Sequence, residues 1–397
     1  MAEADASGAP PLGPRVAPIL AAGASDAWAI LDRARAMAAR GLPVLSLSIG
    51  QPEEAPPPAV ARAVEAALAA GRTRYSPLLG EPALRTAIAQ ARGCEPGNVV
   101  VLPGAQHALL AVLSLLLGPG DEVVTPDPHY ATYAGTAAAA GGRLVPVAMD
   151  GPGFALDVAR LAAAIGPRSR VILVNTPGNP TGRALSRTEF EALSALCRAH
   201  RLWLVSDEVY GALHYGGTHV SAWHHGPEGA TVVLDSLSKS HAMTGYRLGW
   251  ALAPARLLPA LGEWSAAALF GVSQFVQDAG LAALGVPEAE MAPYLSGFAR
   301  RARRLVEVVE SIPGLATRLP DGGMFALVDV RALDPDDVGF ANALLDEALV
   351  AVMPGSGFGP GGRGHVRISL TPDDTRFEEA LAALARFCAG RARALRA

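Results

Sequence analysis

Between Val99 and Ala253 the chain alternates short β-branched runs with longer amphipathic stretches, and this rhythm limits the possible folds more than any other feature. The strand-length runs are Val99–Leu102, Glu122–Thr125, Leu144–Ala148, Val171–Asn175, Leu202–Asp207, Val232–Asp235 and Leu248–Ala253. Helical stretches such as His107–Leu117 and Ser186–His200 lie between them, the second opening with Ser186 and Glu189 at the spacing of a capping box. Strand and helix in turn predict an α/β fold: a large, mostly parallel, seven-stranded sheet with helices on both faces. After about residue 285 the texture changes. A long helical run over Glu288–Ser311, strands over Met324–Asp329 and His365–Leu370, and a closing helix over Asp373–Arg393 predict a smaller α+β domain spanning 286–397. Residues 1–14, rich in Ala, Gly and Pro, are expected to form a disordered arm.

Half of the 397 residues are hydrophobic, enough to fill a substantial core. A formal net charge of −4 demands no basic face for nucleic acid or an anionic membrane. The cluster Arg300, Arg301, Arg303 and Arg304 reads as the solvated face of a helix. Cys94, Cys197 and Cys388 are odd in number and show no metal-ligand spacing, as expected of reduced cytosolic thiols. Glu3 and Asp5 stand where a secretory signal would carry basic residues, so a cytoplasmic protein is expected. The apolar run from Ala108 to Leu117 is about half of what a bilayer crossing needs and reads as a buried helix.

Lysine occurs once, at Lys239, against 32 arginines. Wherever a permanent surface charge suffices, arginine has been used. An amine can lose its proton and attack a carbonyl, whereas a guanidinium stays charged, so a single retained lysine points to Schiff-base chemistry, most often with pyridoxal phosphate.

Ligands of open α/β sheets bind beyond the carboxyl ends of the strands, and polar residues collect there in this sequence. Gly104-Ala105-Gln106 follows the first strand and opens a helix whose free N–H groups make a phosphate seat. Asn175-Thr176-Pro177-Gly178-Asn179-Pro180-Thr181-Gly182 follows the fourth, Asp207-Glu208-Val209-Tyr210 the fifth, and Asp235-Ser236-Leu237-Ser238-Lys239 the sixth. Each segment alone has a plain structural explanation as a turn or cap. Together, in this order, they resemble the class I/II aminotransferases, the fold-type I pyridoxal-phosphate enzymes, over roughly residues 15 to 395.

The resemblance implies that residues 15–50 join the small domain and that 51–285 form the large cofactor-binding domain. It implies pyridoxal 5′-phosphate as cofactor, with Lys239 as its aldimine lysine and the base moving a proton between substrate Cα and C4′. Arg247, Ser236 and the Gly104-Ala105-Gln106 backbone would hold the phosphate, assisted by Ser238. Asp207 would keep the pyridine nitrogen protonated, so that the ring acts as an electron sink. Asn179 and Tyr210 would hydrogen-bond the ring 3′-oxygen, and Tyr130 would stack on the ring. Arg367, in His365-Val366-Arg367-Ile368-Ser369, would grip the substrate α-carboxylate as a bidentate fork. Tyr75 would reach the phosphate of a neighbouring subunit, which implies a homodimer with shared active sites. Gly50 marks the substrate-side loop. Gly178 and Tyr246 depart from the commonest family pattern, where a bulkier polar residue and a tryptophan are frequent.

The motif set implies transamination between an amino acid and a 2-oxo acid, with a β-lyase or amino-acid oxidase as the alternative on the same scaffold. A regulator fused to a winged-helix domain is a remote alternative, since only about 50 residues precede Gln51. No arginine lies between Arg256 and Arg300, where dicarboxylate specialists of the family place a second one. Three segments, Val101–Leu109, Ser236–Trp250 and Pro320–Asp329, look similar to arginine–pyruvate transaminases within the family. They suggest arginine or a modified, guanidino-bearing arginine as substrate. A guanidinium needs a carboxylate or an aromatic face, and Asp26, Trp28, Glu53 and Glu54 are the candidates for that role.

Overall fold

The computed structural model describes residues 12–22, 24–149 and 151–394. Most of the arm expected over 1–14 lies outside the described residues, and Leu12–Pro14 are exposed. In chain order the strands are β1 (Leu45–Ser46), β2 (Val99–Leu102), β3 (Glu122–Asp127), β4 (Arg143–Ala148), β5 (Ser169–Asn175), β6 (Trp203–Asp207) and β7 (Thr231–Ser236). There follow β8 (Gly249–Leu252), β9 (Ala316–Thr317), β10 (Phe325–Asp329), β11 (Val350–Ala351), β12 (Met353–Pro354) and β13 (His365–Ser369).

The large sheet has seven strands in the order β2-β8-β7-β6-β5-β3-β4. Its pairings are parallel from β7 to β4, and β8 runs antiparallel to both of its neighbours. All seven expected strands are present, with ends moved by one or two residues. Strands β2, β7 and β8 are buried along their whole length, because each face of the sheet packs on helices. Val99, Val101, Ile172, Val174, Leu204 and Val233 pack with Leu84, Ile88, Phe190 and Leu193 on one face. Val100, Leu102, Val171, Leu173, Val205 and Val232 pack with Leu109, Val112 and Leu261 on the other. The helix Arg187–His200 begins with the expected capping box between Ser186 and Glu189.

The second body of structure is a four-stranded antiparallel sheet, β12-β13-β10-β9, beside the two-stranded parallel pair β1-β11. It shares a core with the helices Ala24–Ala39, Glu288–Glu310, Asp337–Ala348 and Asp374–Ala394 through Ile30, Phe298, Phe340 and Phe377. The arginine cluster needs one correction. Arg300 and Arg304 are exposed, but Arg301 is buried and donates to the carbonyl of Leu370 (2.7 Å) and to Asp374 (3.0 Å). A single guanidinium thus caps a strand end and the first turn of the closing helix, which helical spacing alone does not reveal. Among the described residues no helix is long and apolar enough to cross a membrane.

Candidate active site

The carboxyl ends of β5, β6 and β7 place Asn175, Asp207 and Ser236 along one rim of the large sheet. A cavity of about 550 Å³ opens over that rim. Its wall includes Ala105, Gln106, Tyr130, Asn179, Asp207 and Tyr210. It also takes in Ser236, Ser238, Lys239 and Arg247, and from the smaller body Trp28, Gly50 and Arg367. Apart from the side-chain candidates Asp26, Glu53 and Glu54, taken up below, every residue that the sequence assigned to cofactor or substrate is thereby brought together except two. Gly104 lies behind the wall, and Tyr75 projects from the surface with 79% of its area exposed, its ring edge-on to Phe270 at 4.8 Å.

Lys239 lies in the short helix Leu237–Ser240 directly after β7. Its Nζ donates to the carbonyl of Gly50 (2.6 Å). Burial, reinforced by the positive charges of Arg367 and Arg247, brings its pKa down to about 8, against the opposing pull of Asp207. An amine so placed is partly neutral near physiological pH, as nucleophilic attack requires. Its backbone carbonyl accepts a hydrogen bond from the Tyr294 hydroxyl (2.5 Å), which reaches in from the helix Glu288–Glu310.

Asp207 ends β6, and burial pushes its pKa up to about 6 although the Tyr133 hydroxyl donates to it (2.8 Å). Its charged neighbours Asp235 and Glu208 raise it further. A buried carboxylate held by a phenol, with no cationic side chain paired to it among the described residues, is suited to receive a cation from a ligand. Asn175 ties this rim together: its amide donates to the Asp207 carbonyl (2.8 Å) while its oxygen accepts from the Asn179 N–H (2.6 Å).

Arg367 sits in the middle of β13, opposite Leu327 of β10 and Met353 of β12. It is 1% exposed and lies over the rings of Phe325 (4.0 Å) and Phe358 (4.6 Å). It donates to Asn179 (3.0 Å) and to the Ser48 carbonyl, and its Nε has no partner. Burial lowers its pKa to about 10, so it keeps its charge at neutral pH. A buried guanidinium with an unused donor in a cavity wall calls for an anion.

The fourth feature is an anion seat. The helix Ala105–Leu116 begins at Gly104 with no side-chain cap, so its first N–H groups are free. Gly104 has φ +82°, and a Cβ there would come within 2.5 Å of the Arg247 guanidinium. Glycine is therefore required where the helix start and Arg247 converge. The Gln106 side chain is held by Thr132 (2.9 Å) and Thr136 (2.7 Å), which leaves its backbone N–H as its contribution to the seat.

These features fit pyridoxal phosphate: an amine for its aldehyde, a buried carboxylate for its ring nitrogen, and a helix start with an arginine for its phosphate. When bound, the cofactor supplies an electron sink that weakens the bonds at a substrate's Cα.

Some residues fall differently from expectation. Glu53 turns to Arg376 (3.1 Å) and Glu54 to Arg301 (3.8 Å), so neither lines the cavity. Both are drawn away by arginines of the smaller body. The side chain of Asp26 lies outside the described residues. Conversely, Tyr133, Asp32 and Arg35 were given no role from sequence. Asp32 and Arg35 share the cavity wall with Trp28. Gly178 has a local explanation: a Cβ there would meet Thr181 Oγ1 at 2.9 Å and the Asn175 carbonyl at 3.2 Å.

Comparison with known proteins places this geometry in a family. The model for aminotransferase class I and II matches residues 43–384. The chain belongs to that family, and it is a pyridoxal-phosphate-dependent aminotransferase acting between amino acids and 2-oxo acids. It is 42% identical over 360 residues to an arginine–pyruvate transaminase of Pseudomonas aeruginosa, covering 88% of this chain and 91% of that one. It is 34% identical over 389 residues to an aspartate aminotransferase of Geobacillus stearothermophilus, covering 93% and 97%. The structure of the Rhizobium meliloti aspartate aminotransferase superposes with a TM-score of 0.90 at 31% identity, over 96% of this chain and 99% of that one.

Proposed function

We propose that this aminotransferase takes the α-amino group from an L-amino acid with a cationic side chain, arginine or a guanidino-bearing relative, and passes it to a 2-oxo acid. Arg367 grips the α-carboxylate, which sets the substrate's Cα over the cavity floor. Lys239 Nζ takes a proton from Cα and returns one at C4′ of the cofactor. Asp207, held by Tyr133, keeps the ring nitrogen protonated, and Asn179 with Tyr210 binds the ring 3′-oxygen while Tyr130 stacks on the ring. The free N–H groups of Ala105 and Gln106 with Arg247, Ser236 and Ser238 hold the phosphate. Residues 15–50 and 286–397 form the small domain and 51–285 the large one, in a cytoplasmic homodimer whose partner site receives Tyr75.

The observation that carries this reading is the placement of Arg367 and Lys239 in one cavity: a fully buried, partly unpartnered guanidinium and an amine with depressed pKa. The cationic donor is supported by the similarity to a protein named for arginine and pyruvate, and by the lack of an arginine between Arg256 and Arg300. The test uses cofactor-loaded protein and single donors without any oxo acid: arginine, ornithine, glutamate, alanine and tyrosine. Bleaching of the lysine-bound cofactor's visible band, fastest with arginine and reversed by pyruvate without oxygen, is the expected result. Oxygen uptake, or ammonia released with pyruvate or thiol, moves the reaction to an oxidase or a lyase.

A further inference from the structure

Four cations line the cavity, Arg35, Lys239, Arg247 and Arg367, and two carboxylates, Asp32 and Asp207. All but Asp32 and Arg35 are engaged by the cofactor and by the substrate's α-carboxylate in the function proposed above. These two lie on the helix Ala24–Ala39 and face each other one turn apart, Arg35 Nη1 to Asp32 Oδ1 at 3.6 Å. Trp28 lies one turn before Asp32, so the three residues form a stripe along one side of the helix, all on the cavity wall.

We propose that Asp32 is the specificity-determining residue that reads the cationic side chain of the amino donor, with Trp28 as its aromatic platform and Arg35 as an internal stand-in for the substrate. This inference rests on the function proposed above. The Asp32–Arg35 pair is exposed and long, with side chains 72% and 62% accessible. Such pairs are weak in water, so the carboxylate is easily taken over by a better partner. Arg35 reaches Asp32 through Nη1 alone at 3.6 Å, whereas a substrate guanidinium is free to present two parallel N–H donors while its flat face lies on Trp28. Asp32 is the one cavity carboxylate not already committed to the ring nitrogen.

The same arrangement accounts for how one cavity serves two successive substrates. The donor brings a positive side chain, which displaces Arg35 from Asp32. The 2-oxo acid acceptor with an uncharged side chain brings none, and Asp32 returns to Arg35. The carboxylate is thus never left without a cation in either half of the cycle, so the acceptor does not meet an uncompensated charge.

The test measures binding as well as turnover. Cofactor-loaded protein is titrated calorimetrically with 5-guanidinopentanoate, which lacks the α-amino group and cannot react, and with pentanoate as the uncharged control. The Asp32→Asn variant is expected to lose roughly 10- to 100-fold in affinity for the guanidino acid relative to pentanoate. The ratio of kcat/KM for arginine to that for norleucine should fall by a similar factor, carried by KM. Arg35→Gln, which removes the competitor, should bind the guanidino acid about threefold more tightly or better. Because both side chains are exposed, folding of the variants is not at risk. A wild-type protein that prefers cationic donors, paired with an Asp32→Asn variant that keeps both ratios, overturns this inference and leaves the proposed function standing. A wild-type protein that transaminates other amino acids but not cationic ones overturns the donor class itself.

Discussion

The hydroxyl of Tyr133 donates to the carboxylate of Asp207 across 2.8 Å at the base of the cavity. Tyr133 is itself buried, with its ring edge-on to Tyr130 at 5.6 Å. The bond opposes the rise that burial imposes on the Asp207 pKa, which stands at about 6. It therefore helps to keep negative charge at the position that the proposed function gives to the ring nitrogen of the cofactor.

Replacing Tyr133 with Phe should raise the Asp207 pKa further and weaken cofactor binding by about tenfold, the size of one hydrogen bond to a charged group. The loss should be larger at pH 6 than at pH 8, since Asp207 recovers its charge as pH rises. Titration of the cofactor-free variant with pyridoxal phosphate at both pH values checks this. Equal losses at the two pH values would separate Tyr133 from the ionisation of Asp207.

The two shifted groups also contribute to the pH dependence of stability in the cofactor-free protein, against His241, lowered to about 4, and Cys197 and Cys388, raised to about 12. The folded-state pKa of Asp207 is raised to about 6, so between about pH 4 and pH 6 this carboxyl binds its proton more fully in the folded state than in the unfolded one, and its own contribution to stability falls as pH rises through that window. Lys239 is lowered to about 8. Between about pH 8 and pH 10.4 this amine binds its proton more fully in the unfolded state, and its own contribution to stability rises with pH. Urea unfolding of cofactor-free protein across pH isolates each group as a difference: stability of the wild type minus that of Asp207→Asn should fall between about pH 4 and pH 6, and wild type minus Lys239→Ala should rise between about pH 8 and pH 10.4.

Much of this was legible before any coordinates. The strands of the large sheet were readable because they are short apolar runs bounded by turn residues, and the site was readable because its polar residues follow those runs in order. Tyr133 was not, since a buried tyrosine three residues after Tyr130 has the pattern of an ordinary core aromatic. Asp32 and Arg35 carry the spacing of a solvated helix face, and only the packing of that helix over the cavity distinguishes them. Glu53 and Glu54 were expected near the substrate, but Arg301 and Arg376 lie far along the chain and no local pattern joins them. Strands such as β1 and β11 are two residues long, too short for any periodicity.

Arg367→Lys should lower kcat/KM for every amino donor by roughly 10- to 100-fold, because an ammonium cannot reproduce the planar fork. The loss should be shared by donors with and without charged side chains, measured alongside a thermal melt that verifies folding. A loss confined to donors with anionic side chains would place Arg367 at the side chain instead of the α-carboxylate.

Gly50 has Phe325 packed against the place where a Cβ would stand. Gly50→Ala should destabilise the protein by about 1–3 kcal/mol through overpacking and disturb the carbonyl that Lys239 Nζ contacts. Adding Phe325→Leu should restore part of the loss. Unfolding midpoints of the two single variants and the double variant give the coupling, and additive effects would show that the two side chains do not compete for space.

The homodimer with shared sites is checked by mixing two inactive chains. Tyr75→Ala and Lys239→Ala chains, unfolded and refolded together, should regain roughly a quarter of the wild-type activity, because mixed dimers carry one site free of both defects. If Tyr75 serves its own subunit, every site keeps one defect and no activity returns.

In the proposed function Lys239 holds the cofactor and releases it to an amino donor. Borohydride fixes a lysine-bound pyridoxal group to the chain, and peptide mass spectrometry locates it. A label is expected on Lys239 in the loaded protein, lost when arginine is added before the borohydride and regained when pyruvate follows. A loaded protein with no label on Lys239, or a label that survives every amino donor, would contradict it.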